Sequence, residues 1–399
     1  MIRESHCRKL LCIFLTFFLL NPLVNAEGTK DFFKIWPYTL RTDKGEVLLK
    51  FKLNKTQKLI LKIKRGTQSG DDLQERILKV SKKKVYTFKL GTQKCGESLE
   101  YKLVSHDDPE HILESHYLKA FSCGDGRTSF KFLMMSDTQE NNERHQKLGK
   151  VIAKKMKKHK ISFVLNTGDV VQNGGKDEDW VSFFKAGKSY LSKYPIVAAL
   201  GNHAFYRERG KKTSMPNNFS RYLRWLESPK LGYFSLEFPN FALVIFNSNF
   251  AKLKKDQEKN QWEWFEERLK HYKEKGLPTF VAMHYPPFSS SAFNLSSSAR
   301  TLRKMMIPLV EKYGVKIVFS GHTHIYERSF KDNTHYIIGG PSGGKFIRST
   351  YNKNVFKKFM LPNTPTFTLV SVMKSHVSLK TYDEKGKLID TLRVDLERG

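Results

Sequence analysis

From residue 130 onward the chain repeats one device: a short apolar run, a polar break, then a longer stretch with helical periodicity. The runs are Phe130–Met135, Ile161–Leu165, Ile196–Leu200, Phe241–Phe246, Thr279–Met283 and Val315–Phe319. They are too short and too uniformly apolar for amphipathic helices, and they are rich in β-branched and aromatic residues, so they read as strands buried on both faces. Helices are expected over Arg144–Lys158, Gln257–Lys275 and Ala299–Tyr313. Strands alternating with helices in this way specify an α/β domain built on a largely parallel sheet.

The text before residue 124 has a different rhythm. Glu46–Leu53, Lys58–Lys64, Lys84–Leu90, Leu99–Val104 and His116–Phe121 are β-type segments, several alternating apolar and basic residues, with no helical pattern among them. Regular strand spacing of this kind predicts a small β-sandwich over residues 27–124, closed by the turn Gly124–Gly126, followed by the α/β domain over 125–399. Thr366–Val372 and Val377–Tyr382, with a turn at Asp383–Gly386, are expected to end the chain as strands.

At the extreme N-terminus Arg3, Arg8 and Lys9 precede an apolar run from Leu10 to Leu20, broken by Pro22 and Asn25 and ended by Ala26. A bilayer span needs about 20 apolar residues, so residues 1–26 read as a cleaved signal peptide and the protein as exported, periplasmic or extracellular, and soluble after cleavage. Export leaves Cys95 and Cys123, which an oxidising compartment favours as a disulfide. The formal net charge of +31 falls to +29 once the signal is removed with Arg3, Arg8, Lys9 and Glu4. The lysines are dispersed rather than gathered in one arm, and no aromatic-interleaved basic motif marks a nucleic-acid binder. Such a surface attracts anions without specifying one. Asn54-Lys-Thr, Asn218-Phe-Ser and Asn294-Leu-Ser are glycosylation acceptors in a eukaryotic secretory host.

Five of the apolar runs end in residue types that bind metal: Asp137, Asp169, Asn202, His284 and the pair His322/His324. Taken singly each has an ordinary reading, as a helix cap, a turn residue or a hydrogen-bonded histidine. Taken together they sit where α/β sheets gather functional groups, at the carboxyl ends of strands. Histidines two apart beside a glycine can also aim two imidazoles at two ions.

The segments Asp137-Thr-Gln139, Gly168-Asp169-Val-Val-Gln172, Gly201-Asn202-His203, Val281-Ala-Met-His284 and Gly321-His322-Thr-His324-Ile-Tyr326-Glu-Arg328 resemble the calcineurin-like metallophosphoesterases, and within them the purple acid phosphatases. The resemblance runs from Phe130 to the C-terminus. It implies a fibronectin III-like N-terminal sandwich followed by a four-layer α/β/β/α catalytic domain. It also implies two divalent or mixed-valence ions of iron, manganese or zinc. On this reading Asp169 bridges the ions, Asp137 and His324 complete one site, Asn202, His284 and His322 complete the other, and Gln139 is a further candidate ligand. Catalysis would be hydrolysis of small phosphate monoesters by a metal-bridging hydroxide, with His203 beside the metals to protonate the leaving oxygen or bind phosphate.

Three positions depart from the family pattern. Gln172 stands where the ligating tyrosine of purple acid phosphatases is expected, so neither ferric selectivity nor the purple absorption follows. Gln139 replaces a ligating histidine in many members, and Ala204 replaces a carboxylate that follows Gly-Asn-His. Arg207 and Arg209 are candidate phosphate contacts or solvated arginines. Phe205–Gly210 and the Ser-rich loop Phe288–Ser298 have the composition of mobile lids, and Gly339–Gly344 reads as a backbone turn near the site. A phosphodiesterase or nucleotidase with the same metal core is one alternative, and a non-catalytic anion-binding surface protein is another.

Overall fold

The computed structural model describes residues 32–67, 70–82, 84–94, 96–118, 130–206, 225–229, 231–347, 350 and 354–396. The expected signal peptide, Cys95 and Cys123, Arg207 and Arg209, and Asn218 lie outside the described residues.

Seven strands precede residue 124: β1 (Phe33–Arg41), β2 (Glu46–Leu53), β3 (Gln57–Thr67), β4 (Gly70–Val80), β5 (Tyr86–Thr92), β6 (Ser98–Ser105) and β7 (Ile112–Leu118). Two of them escaped the sequence reading. β1 carries Pro37, which argues against a strand, and the chain absorbs it with register shifts on either side of Ile35 against β2. β4 is an edge strand whose outer face leaves Leu73 and Ile77 exposed among charges, so its pattern is not that of a buried strand. The four-stranded sheet β4-β3-β6-β7 faces β1, β2 and β5 across a core that includes Val47, Phe51, Leu61, Ile63 and Tyr101.

The remaining strands are β8 (Phe130–Met135), β9 (Ile161–Asn166), β10 (Ile196–Ala198), β11 (Phe234–Phe238), β12 (Phe241–Ile245), β13 (Thr279–Ala282), β14 (Ile317–Ser320), β15 (Ile325–Lys331), β16 (Thr334–Ile338), β17 (Lys357–Pro362), β18 (Thr366–Val372), β19 (His376–Asp383) and β20 (Leu388–Asp395). A nine-stranded sheet runs β20-β19-β18-β8-β9-β10-β1-β2-β5, so the strands of the N-terminal region continue the sheet of the α/β region through a parallel contact of Leu40 with Ile196. A seven-stranded sheet runs β11-β12-β13-β14-β16-β15-β17.

Phe132, Phe163 and Met134 of the first sheet meet Phe241, Phe280 and Phe319 of the second in one apolar core. On its other face the nine-stranded sheet is covered by α1 (Asn142–Lys155) and α2 (Asp177–Leu191), and the seven-stranded sheet by α3 (Lys255–Glu274) and a helical run over 297–312. Gln261, Phe265, Leu269 and Tyr272 form the buried stripe of α3 at helical spacing. With cover on both sides, β9, β12, β13 and β14 are buried along their whole length. That is why their sequences carry no alternation. The consequence for function is directional: β8, β9 and β10 are mutually parallel, as are β12, β13 and β14, so the loops leaving them open at the carboxyl ends of two facing sheets.

Candidate metal centre

Each candidate ligand sits in a sharp turn directly after its strand, and four of them hold a left-handed backbone: φ is 52° at Asp137, 50° at Asp169, 72° at His322 and 54° at His324. A non-glycine residue in that region is strained, and such strain gathers at functional sites. Neighbouring glycines make the turns possible. A Cβ on Gly201 would lie 2.2 Å from the Asp169 nitrogen, and one on Gly321 would lie 2.7 Å from a carboxylate oxygen of Asp137. The Gly339–Gly344 turn also serves this purpose, because the amides of Gly343 and Gly344 both donate to the Asp137 carbonyl at 2.8 Å. An isolated parallel bridge between Ser136 and Pro341 ties that turn to the end of β8.

The side chains converge. Asp169, His284 and His322 offer donor atoms that all lie within 4.8 Å of one another. Asn202 Oδ1 is 3.0 Å from His284 Nε2, and Asp169 Oδ2 is 3.1 Å from the same nitrogen. On the other side His324 Nε2 stands 3.6 Å from Asp137 Oδ1 and 3.1 Å from the Gln139 amide nitrogen. All eight residues singled out by sequence therefore fall in one cleft, with His203 at its edge: its backbone N–H donates to Asp169 Oδ1 at 2.9 Å and its Nε2 lies 3.7 Å from Asp169 Oδ2.

Tautomers follow from the partners. His284 Nδ1 faces the Thr167 carbonyl at 3.0 Å, and His324 Nδ1 faces the Lys345 carbonyl. A carbonyl only accepts, so both Nδ1 atoms carry the hydrogen and both Nε2 lone pairs point into the cleft. At His284 that lone pair meets the oxygens of Asp169 and Asn202. A lone pair with two oxygen acceptors at hydrogen-bond distance from it requires a shared cation, either a proton or a metal ion. The carbonyl-oriented imidazole is also the usual support of a metal-bound histidine. A buried amide oxygen completes the test of fit: Gln139 Oε1 has no hydrogen-bond partner among the described residues.

The electrostatics agree. Burial disfavours the charged form of Asp169, yet the adjacent His284 and His203 override it and hold the carboxyl well below the usual range. Burial raises Asp137, with His324 and His284 opposing. His284 is raised although burial works against it, because Asp169 and Asp137 favour its cation. His322 is pushed well down by burial and by the neighbouring His284, which suits a neutral ligand.

Several contributors had no signal in the sequence. Tyr285 and Phe293 stack edge-on against His322 at ring distances of 4.5 and 4.3 Å. Phe293 belongs to the Ser-rich loop, which is firmly held rather than lid-like. Glu327, fully buried, accepts from the Ser290 amide at 2.7 Å, from the Ser290 hydroxyl at 3.1 Å and from Asn354 Nδ2. Arg303 adds bonds to the Pro287 carbonyl and to Asn294. Glu327 lies inside the Tyr326-Glu-Arg328 segment, so its place in that motif was the available clue. Ala204 packs against Gly174, where an added Cβ would come within 2.7 Å of the Ala204 Cα, so the loop carrying the family's carboxylate position is closed tightly here.

Residues 130–326 match the family model for the calcineurin-like phosphoesterases. That stretch belongs to the superfamily. Among curated proteins it is similar to purple acid phosphatase 15 of Arabidopsis thaliana, 28% identical over 38% of this chain and 28% of that protein. It is also similar to the Fe(3+)-Zn(2+) purple acid phosphatase 12 of the same plant, 36% identical over 17% of this chain and 15% of that protein. The matches thus span well under half the length of these relatives. Among solved structures, the purple acid phosphatase PPD1 from yellow lupin seeds superposes with a TM-score of 0.69 over 90% of this chain and 74% of its own, at 16% identity, which is a likeness of fold.

Proposed function

We propose that the chain is a phosphatase that hydrolyses small phosphate monoesters with two metal ions. Asp137, His324 and Gln139 would hold one ion, Asn202, His284 and His322 would hold the other, and Asp169 would serve both. The observation that carries this is the approach of Asp169 Oδ2 and Asn202 Oδ1 to within 3.1 Å of His284 Nε2, with the Nδ1 hydrogen already committed to Thr167. Carboxylates mixed with imidazoles suit iron, manganese or zinc better than calcium or magnesium. When bound, such a pair acidifies water and neutralises phosphoryl oxygens in an in-line displacement.

The protein's own residues do the rest. His203 donates Nδ1–H to the Gln172 carbonyl at 2.7 Å, which fixes the ring and turns Nε2 toward the cleft, where it can hold a proton for the leaving oxygen. Tyr285 and Phe293 pack edge-on against the His322 ring and fix its orientation. With Gln172 in place of the tyrosine, the loaded protein lacks a phenolate charge-transfer band.

The finer architecture follows the same reading. Three strands facing four around one core support a fibronectin III-like sandwich over 27–124, and helices, two sheets and helices in succession support a four-layer catalytic region over 125–399. Residues 1–26 act as an export signal to the periplasm or the extracellular space, and no helix among the described residues is long and apolar enough to cross a membrane.

Elemental analysis and a chromogenic ester assay test the proposal. Asp169→Ala loses both metal and turnover, whereas His203→Ala keeps metal and loses about 10²- to 10⁴-fold in kcat. Full activity in the Asp169 variant refutes the assignment. A chromogenic diester hydrolysed faster than the monoester moves the activity to phosphodiesterase.

A further inference from the structure

A cavity of about 730 Å³ opens beside the candidate metal centre, between the loops that follow β8, β9 and β10. It is large for a phosphoryl group alone and falls in the range of small-molecule sites. Its wall begins at the proposed proton donor. Gln172, whose carbonyl holds His203 Nδ1 at 2.7 Å, and Tyr206, whose ring lies 4.6 Å from the His203 ring, are both lining residues. An ester oxygen placed at His203 therefore carries its leaving group directly into this cavity.

The lining has a defined chemistry. Gln139, Asn142, Gln172 and Asn173, each carrying a side-chain amide, line it together with apolar residues that include Phe183. Of its carboxylates, Glu140 accepts the Lys345 amide and faces Lys345 Nζ at 3.5 Å, while Asp179 accepts the Asn173 amide at 2.8 Å and feels the charge of Lys176. Lys176 is the cation of the lining; Asp179 is its neighbouring carboxylate, acting on it as a charge rather than as a contact ion pair. Lys176 also occupies the N-cap of α2 without making a capping hydrogen bond. A lysine is a poor choice there for stability, since caps favour small acceptors and the helix dipole disfavours a cation.

We propose that this cavity is a leaving-group subsite, selecting phosphate monoesters whose alcohol portion is polar and carries a second anionic group, bound by Lys176. The assignment rests on the phosphatase reading above. Gln172, at the position of the family's tyrosine, is part of this wall rather than a ligand.

The test is a ratio measured on one protein: kcat/KM for glycerate 3-phosphate against glycerol 3-phosphate, esters that differ by a carboxylate. The wild-type protein prefers the glycerate ester by roughly fivefold, the scale of one partly exposed ion pair. Lys176→Ala brings the ratio to one, and Lys176→Glu takes it below one. An unchanged ratio in both variants, or no preference in the wild type, overturns the subsite. Because both substrates are read on the same preparation, loss of folded protein cancels. If a variant yields no folded protein, Lys176→Gln, which keeps most of the side chain and removes its charge, takes its place, and a ratio of one is again the expected result. If the metal-loaded protein hydrolyses none of these esters, the phosphatase reading fails. Calorimetry then tests the subsite by itself: tighter binding of the glycerate ester in wild type but not in Lys176→Glu sustains it, and equal binding removes it.

Discussion

Gly344→Ala separates the two proposed metal positions. A Cβ at Gly344 would stand 2.6 Å from Cε1 and 2.8 Å from Nε2 of His324, where ordinary contact begins at 3.4 Å. The imidazole must retreat by about 0.8 Å, and it has little freedom to do so. Its Nδ1 is tied to the Lys345 carbonyl, the next residue along the same turn, and its Nε2 packs on Gln139. Overpacking of this kind costs about 1–3 kcal/mol. Displacing a ligand or its support weakens a metal site by about 10- to 100-fold. Asn202, His284 and His322 are held through Thr167, Tyr285 and Phe293, which the new methyl does not touch. The variant should therefore bind one ion with wild-type affinity and the second 10- to 100-fold more weakly, read as two separated steps in a calorimetric metal titration. Two ions bound at unchanged affinity would refute the role given to His324, and equal weakening of both would refute the division of ligands.

Glu327→Ala strands the Ser290 amide and Asn354 Nδ2 as buried donors and should cost about 3–5 kcal/mol in urea unfolding, with Glu327→Gln losing less; a cost below 1 kcal/mol would show the loop is held by other contacts. His145 is fully buried against the Tyr190 hydroxyl, and burial lowers its pKa to about 3. Its ordinary value is about 6.5, so the unfolded chain takes up a proton that the folded one refuses. Its contribution is complete above pH 6.5 and is lost as pH falls toward 3, at about 1.4 kcal/mol per pH unit. His116, lowered to about 4 by burial, acts in the same direction above pH 4. Glu114, raised to about 7 by burial, opposes them between pH 4.5 and 7. His145→Leu should flatten the stability profile between pH 6.5 and 4.5 by about 1.4 kcal/mol per unit, and an unaltered slope would show that the imidazole is protonated in the folded state.

The convergence of the candidate ligands was legible because these residues occupy positions set by local order: residues at the ends of apolar runs are brought together once parallel strands align those ends. The supporting features depend on tertiary contacts and left weaker traces. Ser290 looked like part of a mobile loop because serine repeats lack apolar anchors, and the anchor proved to be a carboxylate on β15, far along the chain. Pro37 hid β1, whereas α2 is missing from the sequence reading although its acidic first turn and the helical spacing of Trp180, Phe183, Phe184 and Tyr190 both signal a helix. The Gly339–Gly344 turn was recognised as lying near the site, but its purpose, two amides on the Asp137 carbonyl, is a matter of distance rather than spacing.

Those amides show what the cleft costs the fold. Four ligand candidates hold positive φ, at roughly 1–3 kcal/mol each, and Asp137 keeps a carboxylate that burial disfavours. A module that needed only the dispersed positive surface to bind anions would gain stability by discarding these features. Asp137→Asn puts that to a test. Its amide oxygen can still accept the His322 backbone N–H, at 3.0 Å in the parent, while the buried charge is gone. Without metal the variant should be more stable than the parent by about 0.5–2 kcal/mol in urea unfolding. With manganese or zinc the order should reverse, because metal binding stabilises only the protein that retains the ligand. A variant less stable than the parent with the metal chelated would mean that Asp137 is structural, and the strain around it would then need a cause other than metal binding.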